Sequence, residues 1–257
     1  MTQGFSGVGL ITSHKRTSGG AKGIGTFWGN CPRYEIQMSP NIVERNSSMD
    51  VARSPLRRMT QATSAAVTLV TDEFNKTNIA RAVQGRIDEV ADDTVTTINK
   101  THPTGAVVGS VLATDDRNIN TLVVTDSTGS PKTLVLGVNY TVDLFSGHIT
   151  LIDITTGGPY VQPFKTANKK GAVTVIAGLA VAAEELWIAF SGTNADNGLR
   201  VHNDTYRVRL DPTKVLQFLN SEYQDYELTG TALLDSTKAA NAVGGQIYGI
   251  TLPSTHE

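Results

Sequence analysis

The stretch most suggestive of chemistry is Ser18-Gly19-Gly20-Ala21-Lys22-Gly23-Ile24-Gly25, whose glycine spacing imitates a dinucleotide phosphate loop. Such a loop works between a buried strand and a helix, because the first amides of the helix receive the pyrophosphate. Neither flank supplies that setting. Ser13, His14, Lys15 and Arg16 precede it, too polar for a buried strand, and Pro32 closes a following segment that cannot sustain a helix. No tyrosine has a lysine four positions later, so the Tyr–Lys pair that goes with this loop in hydride transfer is missing. His14, His102, His148, His202 and His256 are scattered without metal-ligand spacing, as surface or turn histidines would be. Asp92-Asp93 and Asp115-Asp116 match no graded calcium loop, and Cys31 has no neighbouring base. The expectation is a chain with no catalytic residue, no metal and no cofactor. Phe27 and Trp28 then read either as anchors at a subunit contact or as packing of an N-terminal arm onto its own domain.

The elements that would position these groups are mostly strands. Threonine and valine are abundant, which favours β structure. Thr205-Tyr206-Arg207-Val208-Arg209-Leu210 alternates with period two, Asp211-Pro212 offers a helix start, and Val215, Leu216 and Leu219 give that helix an apolar face. A second alternating run covers residues 226–234. Residues 33–38 and 64–71 read as strands, the latter followed by a helix capped by Asp72, carrying Phe74, Ile79, Ala80 and Val83, and ending near Gly85. Short strands are predicted at 107–112, 121–125, 132–135, 140–144, 148–152, 172–177 and 186–190, separated by turns such as Ser146-Gly147. The fold class expected is mainly β, an antiparallel sandwich with one or two flanking helices. Residues 1–32 are expected to form a glycine-rich arm, and 33–257 one domain with a long loop at 40–60.

Charge is unevenly spread, although the net value is only −2. Residues 1–60 carry a surplus of five positive charges and the remainder a surplus of seven negative ones. A solvated surface with statistical clustering is the plain reading. A polar subunit, whose basic arm complements an acidic body, is the sharper one and favours head-to-tail association. Nucleic-acid binding by the basic segment is less well supported, because aromatics are not interleaved with its arginines. One cysteine excludes an internal disulfide and suggests a reducing compartment. Met1-Thr2-Gln3-Gly4 opens no signal peptide, and the longest apolar run, 172–183, is too short to span a bilayer. A cytosolic, soluble protein is expected.

Four blocks, in order, make the chain resemble the major tail tube proteins of long-tailed, siphovirus-type bacteriophages. They are the opening Gly4-Phe5-Ser6-Gly7-Val8-Gly9 leading to Gly29-Asn30 and strand 34–38; the run Val67-Thr68-Leu69-Val70-Thr71-Asp72-Glu73-Phe74-Asn75, continued at 78–85; the hairpin Asn139-Tyr140-Thr141-Val142-Asp143 with Gly147-His148-Ile149-Thr150; and Phe190-Ser191-Gly192-Thr193-Asn194, followed by 206–212 and 227–235. Residues 95–131 depart from the pattern, as an outer decoration or a longer sandwich edge.

The resemblance implies a structural virion protein. Subunits would form hexameric rings in which one sheet from each joins a continuous barrel, and rings would stack head to tail into a hollow tube. The family's long loop maps onto 40–58, so Arg45, Asp50, Arg53, Arg57 and Arg58 become candidates for contact with the next ring. Asp72, Glu73, Glu222, Asp225, Glu227 and Asp235 become candidates either to receive that loop or to line the lumen, with Glu227, Thr229 and Thr231 on one strand face. Implied partners are further copies of the chain and the tape-measure, tail-terminator and tail-tip proteins, with double-stranded DNA passing through without specific binding and no membrane partner. The implied place is the virion tail, assembled in the host bacterial cytoplasm. The alternatives are a tail terminator or other ring protein of the tail, an adhesin-like module, and a nucleotide-binding enzyme acting through Gly19–Gly25.

Overall fold

A computed structural model describes residues 5–49, 51 and 53–253. The chain is mainly β, 48% strand and 3% helix, with antiparallel sheets. In order come β1 (Gly7–Arg16), β2 (Lys22–Phe27), β3 (Arg33–Asn46), β4 (Pro55–Thr71), α1 (Lys76–Ala82), β5 (Arg86–Val90), β6 (Ile98–Thr101), β7 (Val111–Ala113) and β8 (Ile119–Thr125). Then follow β9 (Tyr140–Asp143), β10 (His148–Leu151), β11 (Lys165–Lys170), β12 (Val173–Ala177), β13 (Glu185–Asn194), β14 (Arg200–Leu210), β15 (Tyr226–Ala232) and β16 (Tyr248–Thr251). They divide into two compact units, Met1–Arg86 with Ile176–Glu257, and Ile87–Val175. No helix among the described residues is long and apolar enough to cross a membrane.

The first unit holds one sheet in the order β2-β1-β13-β14-β15-β4-β3, with β16 also paired to β14. A flat sheet would place β2 and β3 six strand spacings apart, about 29 Å. Yet Phe27 and Arg33 are separated by only six residue steps, which reach at most about 22 Å. The sheet must therefore curl. Tyr34 of β3 accordingly brings its hydroxyl to 2.8 Å from that of Thr205 on β14. The enclosed core is built from alternate residues such as Val67 and Leu69, Leu186 and Ile188, Val208 and Leu210, and Leu228, with Trp28 fully buried among them. A bulge between β13 and β14, where the register shifts between Leu186 and Ile188, changes the parity of β14: Asn203 and Thr205 are buried before it, Tyr206, Val208 and Leu210 after it.

The second unit contains two three-stranded sheets, β7-β10-β9 and β6-β11-β8, around a core that includes Val124, Ile149, Leu151 and Phe164. β5 and β12, along which the chain departs and returns, pair as a two-stranded ribbon. Buried Asp126 organises a turn by accepting from the amides of Thr128, Lys132 and Val161 and from the Thr128 hydroxyl. Burial opposes its ionisation, but these donors hold its carboxyl down at about 2.

Four sequence expectations change. Of the arm expected at 1–32, the described residues 5–32 are built largely into the sheet: β1 pairs with β13 from Gly7 to Lys15, and the glycine run forms a hairpin turn and strand β2. Gly25 is there because a side chain would meet the His14 ring on the adjoining strand. The expected loop at 40–58 is largely the distal half of a β3–β4 hairpin, whose turn is confined to residues 47–54. Pro40 is tolerated because β3 is an edge strand. Helix α1 starts later than expected, with Asn75 as its cap accepting from the Asn78 amide at 2.9 Å. No helix forms at 212–219, since so short a helix needs a buried face and Phe218 and Leu219 are exposed.

Candidate functional site

Antiparallel pairing places side chains from three strands in rows on the outward face of the first unit. Arg33, Val70 and Glu227 stand in one row, Glu35, Thr68 and Thr229 in the next, and Gln37, Ala66 and Thr231 in a third. The period-two reading of 226–234 is met as far as Ala232, where β15 ends: Tyr226, Leu228 and Ala232 are buried, while Glu227 and Thr231 are exposed. Glu227 does not present a free carboxylate, because Arg33 donates to it at 2.7 Å. Both partners are about half exposed, so this pair adds little stability but cancels the charge of the row.

Beyond those rows the β3–β4 hairpin continues alone. β15 covers β4 only from Ala65 to Thr71, which leaves residues 39–46 and 55–64 as a two-stranded ribbon with exposed residues on both faces. On one face Val43 lies opposite Met59 and Arg45 opposite Arg57; on the other Ile42 lies opposite Thr60 and Glu44 opposite Arg58. Glu44 and Arg58 make a 3.5 Å pair. Arg45 and Arg57 have no carboxylate partner among the described residues. Like charges directly opposite are destabilising on a ladder, so this pair is held by the surrounding register and not by itself. Arg53 sits in the turn with a φ of 49°, beside the exposed Met49 and Val51. Asp50 lies outside the described residues.

The acidic candidates separate into three environments. Asp72 and Glu73 are exposed between β4 and α1, with Asp72 accepting from the Asn30 amide at 2.5 Å. Glu222 and Asp225 are exposed in the connection 211–225, where together with Thr213, Val215, Tyr223 and Glu227 they line an open groove of about 530 Å³. Asp235 is different. It is 1% exposed and paired with Arg16, whose side chain is 8% exposed, so its carboxylate is enclosed within the first unit. Burial disfavours its charge, but the Thr237 hydroxyl and amide and the Arg16 guanidinium hold its carboxyl below the usual range.

Three features escaped sequence reading. The first is a polar line across β13 and β14. Ser191 lies directly opposite His202, with its Oγ 2.6 Å from Nδ1, and Nε2 stands 3.1 Å from Asp204 Oδ2. The ionised Asp204 only accepts, so it fixes the Nε2–H tautomer and leaves Nδ1 to accept from Ser191. Its other oxygen receives Lys22 and the Trp187 indole, each at 2.7 Å. With Lys22 and Trp187 also bound to Asp204, the line ties β2, β13 and β14 together across the sheet face. The period-two spacing of His202 and Asp204 was its only sequence signal. The second is the exposed apolar set Val215, Phe218, Leu219 and Tyr223 in the connection misread as a helix. The third is His102, a buried histidine 3.1 Å from the Thr166 hydroxyl; burial, reinforced by Lys100, lowers its basicity. Burial also pushes the Cys31 thiol up to about 11, which leaves it unreactive at neutral pH. No group of three or more metal-ligating side chains converges among the described residues.

The sequence profile of one family, described as Protein of unknown function UCP028589, matches residues 4–250. No curated protein matches the chain.

Proposed function

This chain belongs to that family, and we propose that its members of this type are structural subunits that polymerise as stacked rings into the hollow tail tube of a long-tailed bacteriophage. One observation carries the reading: the β3–β4 hairpin continues past the sheet over residues 39–64, through two register shifts, with no other described strand paired to it. An isolated two-stranded ribbon is marginally stable in water, so its persistence is best accounted for by a covering neighbour. The main sheet also ends in two open edges, β2 and the 14-residue β3. Joining such edges between copies would close a barrel and remove an aggregation hazard. In this reading the curled sheet is a sandwich flanked by α1, and six copies form a ring.

The rows Glu35–Thr68–Thr229 and Gln37–Ala66–Thr231 would face the lumen. Hydroxyl and amide groups there, the Glu35 carboxylate and Glu227 neutralised by Arg33 give a surface on which phosphates find no clustered lysines to hold them. DNA would pass without specific binding. The tape-measure, terminator and tail-tip proteins would meet the tube at its inside and ends, in the virion tail, after assembly in the host cytoplasm. Negative-stain microscopy of concentrated purified protein tests the reading. Long hollow tubes are expected; rings that never stack would favour a tail terminator, and monomers at all concentrations would overturn both.

A further inference from the structure

Three side chains of the first unit bring unpaired polar atoms together beside α1. Ser13 of β1 and Trp28 are both 0% exposed, and neither Ser13 Oγ nor Trp28 Nε1 has a hydrogen-bond partner among the described residues. One terminal nitrogen of Arg81 is likewise buried and unpaired, while the other donates to Thr26 Oγ1 at 2.6 Å. The register brings these groups to one place. Ser13 stands directly opposite Thr26 across β1 and β2, so their side chains are neighbours on one face. The guanidinium carbon of Arg81 lies 4.9 Å from the centre of the Trp28 ring. A fourth unpaired atom, Asn78 Oδ1, belongs elsewhere. The amide nitrogen of Asn78 donates to the backbone carbonyls of Trp28 and Glu73, which holds that side chain by the main chain of Trp28 and away from its ring.

The hydroxyl, the indole N–H and the guanidinium N–H can all donate, and buried donors left unpaired are costly. The charge among them is also unbalanced. Arg81 forms no ion pair among the described residues, and Glu184, whose charge supports it, already holds Lys15 at 2.6 Å. Burial, the larger influence, lowers the basicity of Arg81. The face of Trp28 offsets part of that charge but accepts nothing from the other two donors. Water would pair the donors without balancing the cation. One guanidinium balances one negative charge, and the enclosure of Ser13 and Trp28 suits a small ion. We propose that Ser13, Trp28 and Arg81 form a binding site for a small monovalent inorganic anion such as chloride, which ties the β1–β2 hairpin to α1. The site lies within one copy, so its test does not depend on polymerisation.

Thermal melts in which chloride replaces gluconate at constant ionic strength provide that test. The midpoint should rise saturably, by about 3 °C between no chloride and about 100 mM. Ser13→Ala should need about threefold more chloride for half of the rise, and Arg81→Met should show no rise. A hydroxyl that is only an unpaired group behaves otherwise: its removal raises the midpoint and leaves the chloride dependence unchanged. Should Arg81→Met fail to fold, crystals of the parent grown in bromide decide the matter, with an anomalous peak expected within hydrogen-bond reach of Arg81 and Trp28 Nε1. A midpoint indifferent to chloride, a rise shared equally by both variants, or bromide crystals holding only water at that position would overturn the assignment.

Discussion

Arg16 and Asp235 show how far a residue's charge can be from its surface role. Asp235 was a reasonable acceptor for a neighbour's arginine as one of a run of acids, but its partner comes from β1 of the same sheet. Sequence could not reveal this, because 219 residues separate the pair. Arg16 also lies 3.5 Å from Glu185, which itself receives two hydrogen bonds from Arg207, so the carboxylates and guanidiniums alternate as a network. Asp235→Ala would leave the enclosed guanidinium with only the longer contact to Glu185; a loss of roughly 2–3 kcal/mol in urea unfolding, below the full cost of an unpaired buried charge, is expected. Asp126 makes a pH-dependent contribution. Its folded carboxyl titrates at about 2, below the usual value of 3.8, so the stability it confers is complete above about pH 4 and disappears as pH falls towards 2. Asp126→Asn should therefore melt well below the parent at pH 6, with the gap between them narrowing from pH 4 to pH 2 in circular-dichroism melts.

At the scale of elements, legibility followed burial. Strands with one face in the core, such as β15 and the 64–71 half of β4, were readable because alternate residues are apolar there. The distal ribbon was not, because neither face is buried within the chain and its residues show no alternation. β1 and β2 were lost to their glycines, which admit close cross-strand approach but weaken the strand pattern: a side chain at Gly9 would strike the backbone of Ser191 and Gly192 on β13. The opposite error occurred at 212–219, where helical spacing exists without anything for its apolar face to pack on. Of the candidate site residues, the face carrying Glu227, Thr229 and Thr231 was legible from alternation alone, whereas the ion pair that neutralises Glu227 was not. Replacing residues 43–59 by a two-residue Asn-Gly turn should leave the subunit's unfolding free energy within about 1 kcal/mol, since the ribbon contributes nothing to the core. The same change should abolish sedimentable assemblies; a shortened protein that still assembles would show that the ribbon is not the connector.

For the whole molecule, the second unit is entered and left at one place. The chain leaves for it after Arg86 and rejoins at Ile176, and a side chain added at Gly85 would touch Ile176 itself. Exit and return are thus neighbours, joined through the paired β5 and β12. Topologically the whole of Ile87–Val175 is a socketed insert, exchangeable for any folded module whose own termini lie close together. Each copy in the proposed assembly would then carry one such module, making the polymer a display scaffold with one insert per copy.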